Sequence, residues 1–181
     1  MNANEIIIPC RLSYANIWEP KQVNGTGDPK YSCCLLIKKS DTATVEKVRA
    51  AIEAIKKDPA ALAKWGGKLP PKLKNPLRDG DEEKDDENYA GCWFINANSN
   101  ENRPPKIVDR HCNDVLDQEE VYSGCYANVK VGLFSYSASG NRGIGAGLET
   151  IQKVRDGERL SGGNNLDGFE VLTDEDDDLL S

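Results

Sequence analysis

The chain has 181 residues, of which 38% are hydrophobic, and a formal net charge of −7, which suits one domain with appendages: about 150 ordered residues bury enough apolar surface to fold without disulfide staples. The start Met-Asn-Ala-Asn-Glu lacks the basic and apolar regions of a secretory leader, and no run approaches the ~18 consecutive apolar residues of a membrane span, so the expectation is a cytosolic protein. Residues 1–78 hold 14 Lys plus Arg against seven acids while residues 79–168 hold nine bases against 17 acids, so the acidic total hides a basic half, a pattern produced by polyanion contact or by ordinary solvated lysines.

Ile6-Ile7-Ile8 opens a β-rich stretch to about Trp18, and Tyr31 to Ile37 repeats the signal with Tyr31, Cys33, Leu35 and Ile37 at one parity. Pro20 and Val-Asn-Gly-Thr-Gly-Asp-Pro lie between them, which predicts an antiparallel hairpin. Ser40-Asp41 then offers a helix N-cap, and Val45, Val48, Ile52 and Ile55 form one stripe at spacings of three and four. A second short helix is marked by Asp58 as cap, Pro59 at its first position and Gly66 past its end.

From Gly66 to Asn88 the chain carries Pro70, Pro71 and Pro76 and then Asp79-Gly-Asp-Glu-Glu-Lys-Asp-Asp-Glu, which reads as a long surface loop. Counted as a calcium loop, this run puts Lys84 where glycine is needed and Ala90 where the bidentate glutamate belongs, so that reading fails. Strand signal resumes at Ala90 to Ala97, stops over residues 98–105, and returns from Val121 to Tyr136.

In that last segment the odd positions, from Val121 through Val129 to Leu133, form a core face. The even positions place Tyr122, Tyr126, Phe134 and Tyr136 beside Lys130, Gly124 and Gly132, a face on which bases stack while a cation tracks phosphate. The alternative is that these aromatics serve as strand formers packed under a loop or helix. Ser137 to Gly143 predicts a further hairpin, and Gly143, Gly145 and Gly147 share one face; they make no dinucleotide fingerprint, because its third glycine falls at Leu148. Leu148, Ile151 and Val154 fit a short helix or a strand.

The expected organisation is a domain over 1–160, a flexible linker over 161–168 and an acidic tail over 169–181, where six carboxylates and no Lys or Arg are expected to stay disordered. The six cysteines form no C-x-x-C pair, and adjacent Cys33 and Cys34 point to opposite faces of a strand, so they read as buried hydrophobes in a reducing compartment rather than metal ligands. Neither a nucleophile motif nor a metalloprotease motif occurs, and most acids lie in polar runs, so the expectation is no enzyme, no cofactor and no metal.

Several phrases resemble the tailed-phage single-stranded-DNA-binding proteins: Arg-Leu-Ser-Tyr-Ala-Asn-Ile-Trp-Glu-Pro at 11–20, Pro-Leu-Arg-Asp-Gly-Asp at 76–81, Phe-Ile-Asn-Ala-Asn-Ser at 94–99, Val-Tyr-Ser-Gly at 121–124 and Gly-Asn-Arg-Gly-Ile at 140–144. The resemblance implies a mainly β fold with one or two helices, built as a five-stranded oligonucleotide-binding (OB) barrel with long loop insertions. It implies a protein that coats single-stranded DNA in phage replication or recombination. Arg11, Tyr14, Trp18, Lys21, Arg78, Trp93 and Arg142 are the matching positions, or their neighbours, that would flank the stacking face. The tail acids Asp174, Glu175, Asp176, Asp177 and Asp178 would recruit replication or recombination proteins and compete with DNA for the body's cations. The chain departs from bacterial relatives in ending Leu-Leu-Ser rather than in an aromatic residue. Two other readings stay open: an acidic DNA mimic or bridging protein, and a metal-dependent nuclease. A homodimer is compatible with all three.

Overall fold

The computed structural model of the protein describes residues 4–23 and 26–160; the expected linker and acidic tail lie outside them. The long strands are β1 (Glu5–Val23), β2 (Thr26–Lys38), β4 (Cys92–Asn100), β6 (Tyr126–Ala138) and β7 (Asn141–Arg155), with short β3 (Arg78–Asp79) and β5 (Lys106–Val108) at the margins. They run in the order β3-β4-β2-β1-β6-β7-β5, and a parallel pairing of β4 with β7 at Ala97↔Ala146 and Asn98↔Gly147 closes the five long strands into a barrel. This is the expected mainly β architecture with a five-stranded closed barrel.

Alternation decides what fills it. The odd positions of β6, Ala127, Val129, Val131 and Leu133, are sealed inside with Ile8, Leu12, Leu35, Ile37, Ile95 and Ile151. Helix α1 (Thr42–Lys57) begins where the Asp41 carboxylate accepts from the Thr44 amide at 3.3 Å and its hydroxyl at 2.6 Å. Its stripe of Val45, Val48, Ile52 and Ile55 packs into the barrel core. Helix α2 (Pro59–Lys64), capped by Asp58, leads to Trp65, which is 1% exposed and donates from its indole nitrogen to the Tyr136 carbonyl at 3.0 Å.

Three expectations change. The last core segment begins as a strand at Tyr126 rather than Val121, because Gly124 takes a left-handed φ of 113° and the Cys125 amide bonds back to the Tyr122 carbonyl in a turn. The ambiguous residues after Leu148 continue β7. The expected loop of 66–88 is a strap: β3, the one-turn helix α3 (Gly80–Glu83) and a 3₁₀ turn at Glu87–Tyr89 cross the outer wall of the barrel. Tyr89, 1% exposed, lies on Cys34, Leu36 and Phe94 in a second small core. A side chain at Gly80 would run into the carbonyl oxygens of Tyr89 and Cys92, so the tight return of the strap requires glycine there.

All six cysteines are free; Cys10, Cys33, Cys34 and Cys125 are buried, and burial raises each of these thiols. None of the helices described is long and apolar enough to cross a membrane.

Candidate nucleic-acid interface

On the outside of β6, Phe134 and Tyr136 sit opposite Gly145 and Gly143 of β7. A Cβ at Gly145 would stand 2.6 Å from Phe134 Cζ, and one at Gly143 would stand 2.7 Å from Tyr136 Oη. The glycine spacing noted in the sequence therefore has a physical purpose: it leaves room for the Phe134 ring over Gly145 and for the Tyr136 hydroxyl and Lys74 at Gly143, the two rings standing 6.4 Å apart and tilted by 55°. Phe134 is 42% exposed.

These rings form part of the floor of a groove of about 940 Å³. Asn96 and Asn98, on the outward positions of β4, extend the floor, and Lys74, Arg78, Asp79, Glu82 and Glu83 line the groove beside them. Arg78 pairs with Phe94 while Lys30 pairs with Asn100, six residues further along β4, so Lys30 stands about 20 Å from Arg78 in the strand direction.

Within the strap Arg78 pairs with Glu83, while Asp79 and Asp81 pair with Lys39, just past the end of β2. Arg78 lies over the Phe94 ring at 5.0 Å and donates from Nε and Nη2 to Glu83 Oε1 at 2.9 and 2.7 Å; the Glu83 hydrogen bond raises its pKa further. Lys39 bonds Asp79 at 2.7 Å and Asp81 at 2.8 Å, and its hydrogen bond is the main reason both carboxyls fall below their ordinary value. Trp93 is half-buried, with Lys39 and Arg49 each 5.0 Å from its ring centroid.

A second cluster gathers Tyr14, Trp18, Lys21, Tyr122 and Arg159 around a cavity of about 510 Å³. The β1 register shifts between Ser13 and Asn16, Tyr14 adopts a φ of 46° there, and its ring is 56% exposed. Trp18 donates to the Val121 carbonyl at 3.1 Å. The Tyr122 hydroxyl donates to Asp156 at 2.8 Å, accepts from the Gly157 amide at 3.3 Å, and the ring lies under Arg159 at 4.2 Å.

A third cluster, beyond the strap, holds Arg11 and Tyr126 around a cavity of about 470 Å³. Arg155 covers the Tyr126 ring at 3.9 Å, and Arg11 donates to the carbonyls of Gly124 and Glu158 at 3.0 and 2.7 Å.

The structure thus brings Arg78, Trp93, Phe134 and Tyr136 to one groove, and Arg142 sits exposed near its end, where its carbonyl accepts from the Lys74 amide at 3.0 Å. Tyr14, Trp18, Lys21 and Tyr122 share the second cluster. Arg11 and Tyr126 share the third, and Lys130 stands apart in an ion pair with Glu5 at 3.2 Å. Asp174 to Asp178 lie outside the described residues. Sequence reasoning missed Lys30, Lys74, Asn96 and Asn98. The two asparagines were findable, since they alternate with buried Ile95 and Ala97. Among the described residues no group of three or more His, Cys, Asp or Glu is placed to hold a metal ion.

A family model described as "Enterobacter phage Enc34, ssDNA-binding protein" matches residues 4–180. "Putative protein p50" of Acyrthosiphon pisum secondary endosymbiont phage 1 is 35% identical over 184 residues, covering 94% of this chain and 95% of that protein. The solved single-stranded DNA-binding protein of bacteriophage Enc34 in complex with ssDNA aligns with a TM-score of 0.76 and 26% identity, over 88% of this chain and 91% of that one. The single-stranded DNA-binding protein gp2.5 of bacteriophage T7 aligns with a TM-score of 0.56 and 17% identity, over 88% of this chain and 97% of that one, a likeness of fold alone.

Proposed function

The chain belongs to the Enc34 phage ssDNA-binding protein family, and from that membership we propose that it binds and coats single-stranded DNA, without catalysis, in the cytoplasm of an infected host cell. The observation that carries the reading is the pair of aromatics, Phe134 with its ring over Gly145 and Tyr136 with its hydroxyl at Gly143, on the floor of a groove that also holds Lys30 and Lys74. A nucleobase gains about 1–3 kcal/mol by stacking on such a ring whatever its identity, and the ammonium groups attract the backbone.

In barrel order β2 and β4 are the second and third strands of the OB fold, the face that binds oligonucleotides in such barrels. A strand entering over Phe134 and Tyr136 passes Asn96 and Asn98. It then crosses Ser32, which pairs with Asn98 and Asn16, toward Tyr14 and Lys21. Trp18 and Tyr122 support that far end, and Arg78 and Arg142 flank the near one. Arg11, Tyr126 and Lys130 lie off this path and meet DNA only where a strand wraps further round the barrel. The acidic residues Asp174 to Asp178 act as partner-recruiting and DNA-competing groups.

A fluorescence titration with an oligonucleotide tests this. Binding quenches Trp and Tyr emission, affinity falls with a slope of about 0.7 per phosphate neutralised in log salt, and combining Phe134→Ala with Tyr136→Ala weakens it at least about tenfold. In the same titration, removing residues 169–181 tightens binding at low salt. Unchanged affinity in the double variant rejects the stacking site.

A further inference from the structure

Two lysines of the β1–β2 hairpin stand face to face. Lys21 and Lys30 are direct partners in the antiparallel ladder, which sets their Cβ atoms about 5 Å apart on one face of the sheet. Regular pairing would not bring them together: from the pair Asn16–Ser32 to the pair Lys21–Lys30, β1 advances five residues while β2 advances two. The extra residues, Pro20 among them, re-aim Lys21 across from Lys30. Both side chains are exposed, and among the described residues neither has a carboxylate partner. Lys30 lines the groove that holds Phe134 and Tyr136, whereas Lys21 lines the cavity beside Tyr14 and Trp18, so the pair stands where the two sites meet.

We propose that Lys21 and Lys30 together form one site for a backbone phosphate, through which a single strand passes from the groove into the cavity beside Tyr14. Like charges set directly opposite each other destabilise a sheet, so the free hairpin carries a repulsion that a bound anion relieves. A lysine ammonium is a compact charge on a flexible four-carbon stem, so both can converge on one phosphate between them. The row next to the pair, Asn98, Ser32 and Asn16, offers uncharged groups, with Asn16 Nδ2 donating to Ser32 Oγ at 3.3 Å. The backbone charge of the strand is therefore met at the lysine row. The inference rests on the groove being the single-strand site proposed above.

The test measures the salt dependence of affinity for a single-stranded oligonucleotide long enough to span both cavities, with the unaltered chain, Lys21→Gln, Lys30→Gln and the two combined. One neutralised phosphate accounts for about 0.7 of the log-salt slope. Each single variant is expected to keep nearly the whole slope and to bind about threefold more weakly at low salt, because the remaining ammonium still holds the phosphate. The combined variant is expected to lose about 0.7 of the slope and about tenfold in affinity. A loss of about 0.7 in each single variant and about 1.4 in the combined one would assign the lysines to separate phosphates and overturn the shared site. An unchanged slope in the combined variant overturns it too. Without DNA, either replacement relieves the repulsion, so at low salt the single variants melt no lower than the unaltered chain. A lower melting temperature would make the lysines a support of the hairpin and count against the proposal. An unaltered chain that binds no oligonucleotide overturns the proposed function together with this inference. A Phe134→Ala, Tyr136→Ala variant of full affinity, beside a lysine effect as expected, rejects the stacking site alone.

Discussion

Gly143 and Gly145 matter for the room they leave rather than for any unusual backbone angle, since Gly145 lies beneath the Phe134 ring and Gly143 beneath the Tyr136 hydroxyl and Lys74. The sequence showed the glycines on one face and the aromatics on another segment's face, but parity within a strand says nothing about which neighbour it will pair with. For that reason the two halves of the same feature read as separate. A different residue carries a pH effect. One oxygen of Glu149 is buried without a hydrogen-bond partner among the described residues, and burial, followed by the nearby Glu5 carboxylate, raises its carboxyl above the ordinary value. A carboxyl raised by folding favours the protonated form, so its contribution to stability is fully present below the unfolded-state pKa and is lost as pH rises through the folded one. Glu149→Gln should therefore melt a few degrees higher than the unaltered chain near pH 7, with the advantage vanishing toward about pH 4. Thermal unfolding at the two pH values checks it; an equal shift at both would mean that charge is not the cause.

Among the elements, α1 was legible because a stripe of four apolar residues and an aspartate cap agree on one helix, and β6 because Ala127, Val129, Val131 and Leu133 alternate on one face. The strap was not. Its acidic run reads as solvated chain, and only Tyr89, placed at the end of that run, reveals that the segment is anchored to the barrel wall. The ring packs edge-on against Phe94 at 5.4 Å and its hydroxyl lies 3.4 Å from both Ser13 Oγ and Cys34 Sγ. Tyr89→Ala empties a site of that size and removes the polar contacts, so a loss of about 3–5 kcal/mol is expected in urea unfolding. A loss under about 1 kcal/mol would show that the strap rests on the wall without being held by it.

For the whole molecule, the bulk charge misleads about the interface. A chain of net charge −7 is expected to avoid polyanions, yet the groove contains lysines at separated points of its lining, and the strap pairs Arg78 with its own Glu83 and two of its acids with Lys39. The twelve residues expected to meet DNA divide among a groove, two smaller clusters and the Lys130–Glu5 ion pair because a linear reading sees neither the closure of the barrel nor the strap that separates its outer faces.

Closure itself depends on a short seam. β4 and β7 meet through two residue pairs, Ala97 with Ala146 and Asn98 with Gly147, while β6 and β7 pair along their whole length. Breathing of the cylinder is thus easiest at this join, as local opening follows the fewest cooperative contacts. The floor of the groove straddles it, with Asn96 and Asn98 on one bank and Gly145 and Ala146 on the other. An oligonucleotide seated there acts as a clasp across the join. Backbone amides at 96–98 and 145–147 should exchange with solvent more slowly in its presence, while those at the β1–β6 join, remote from the groove floor, keep their rates.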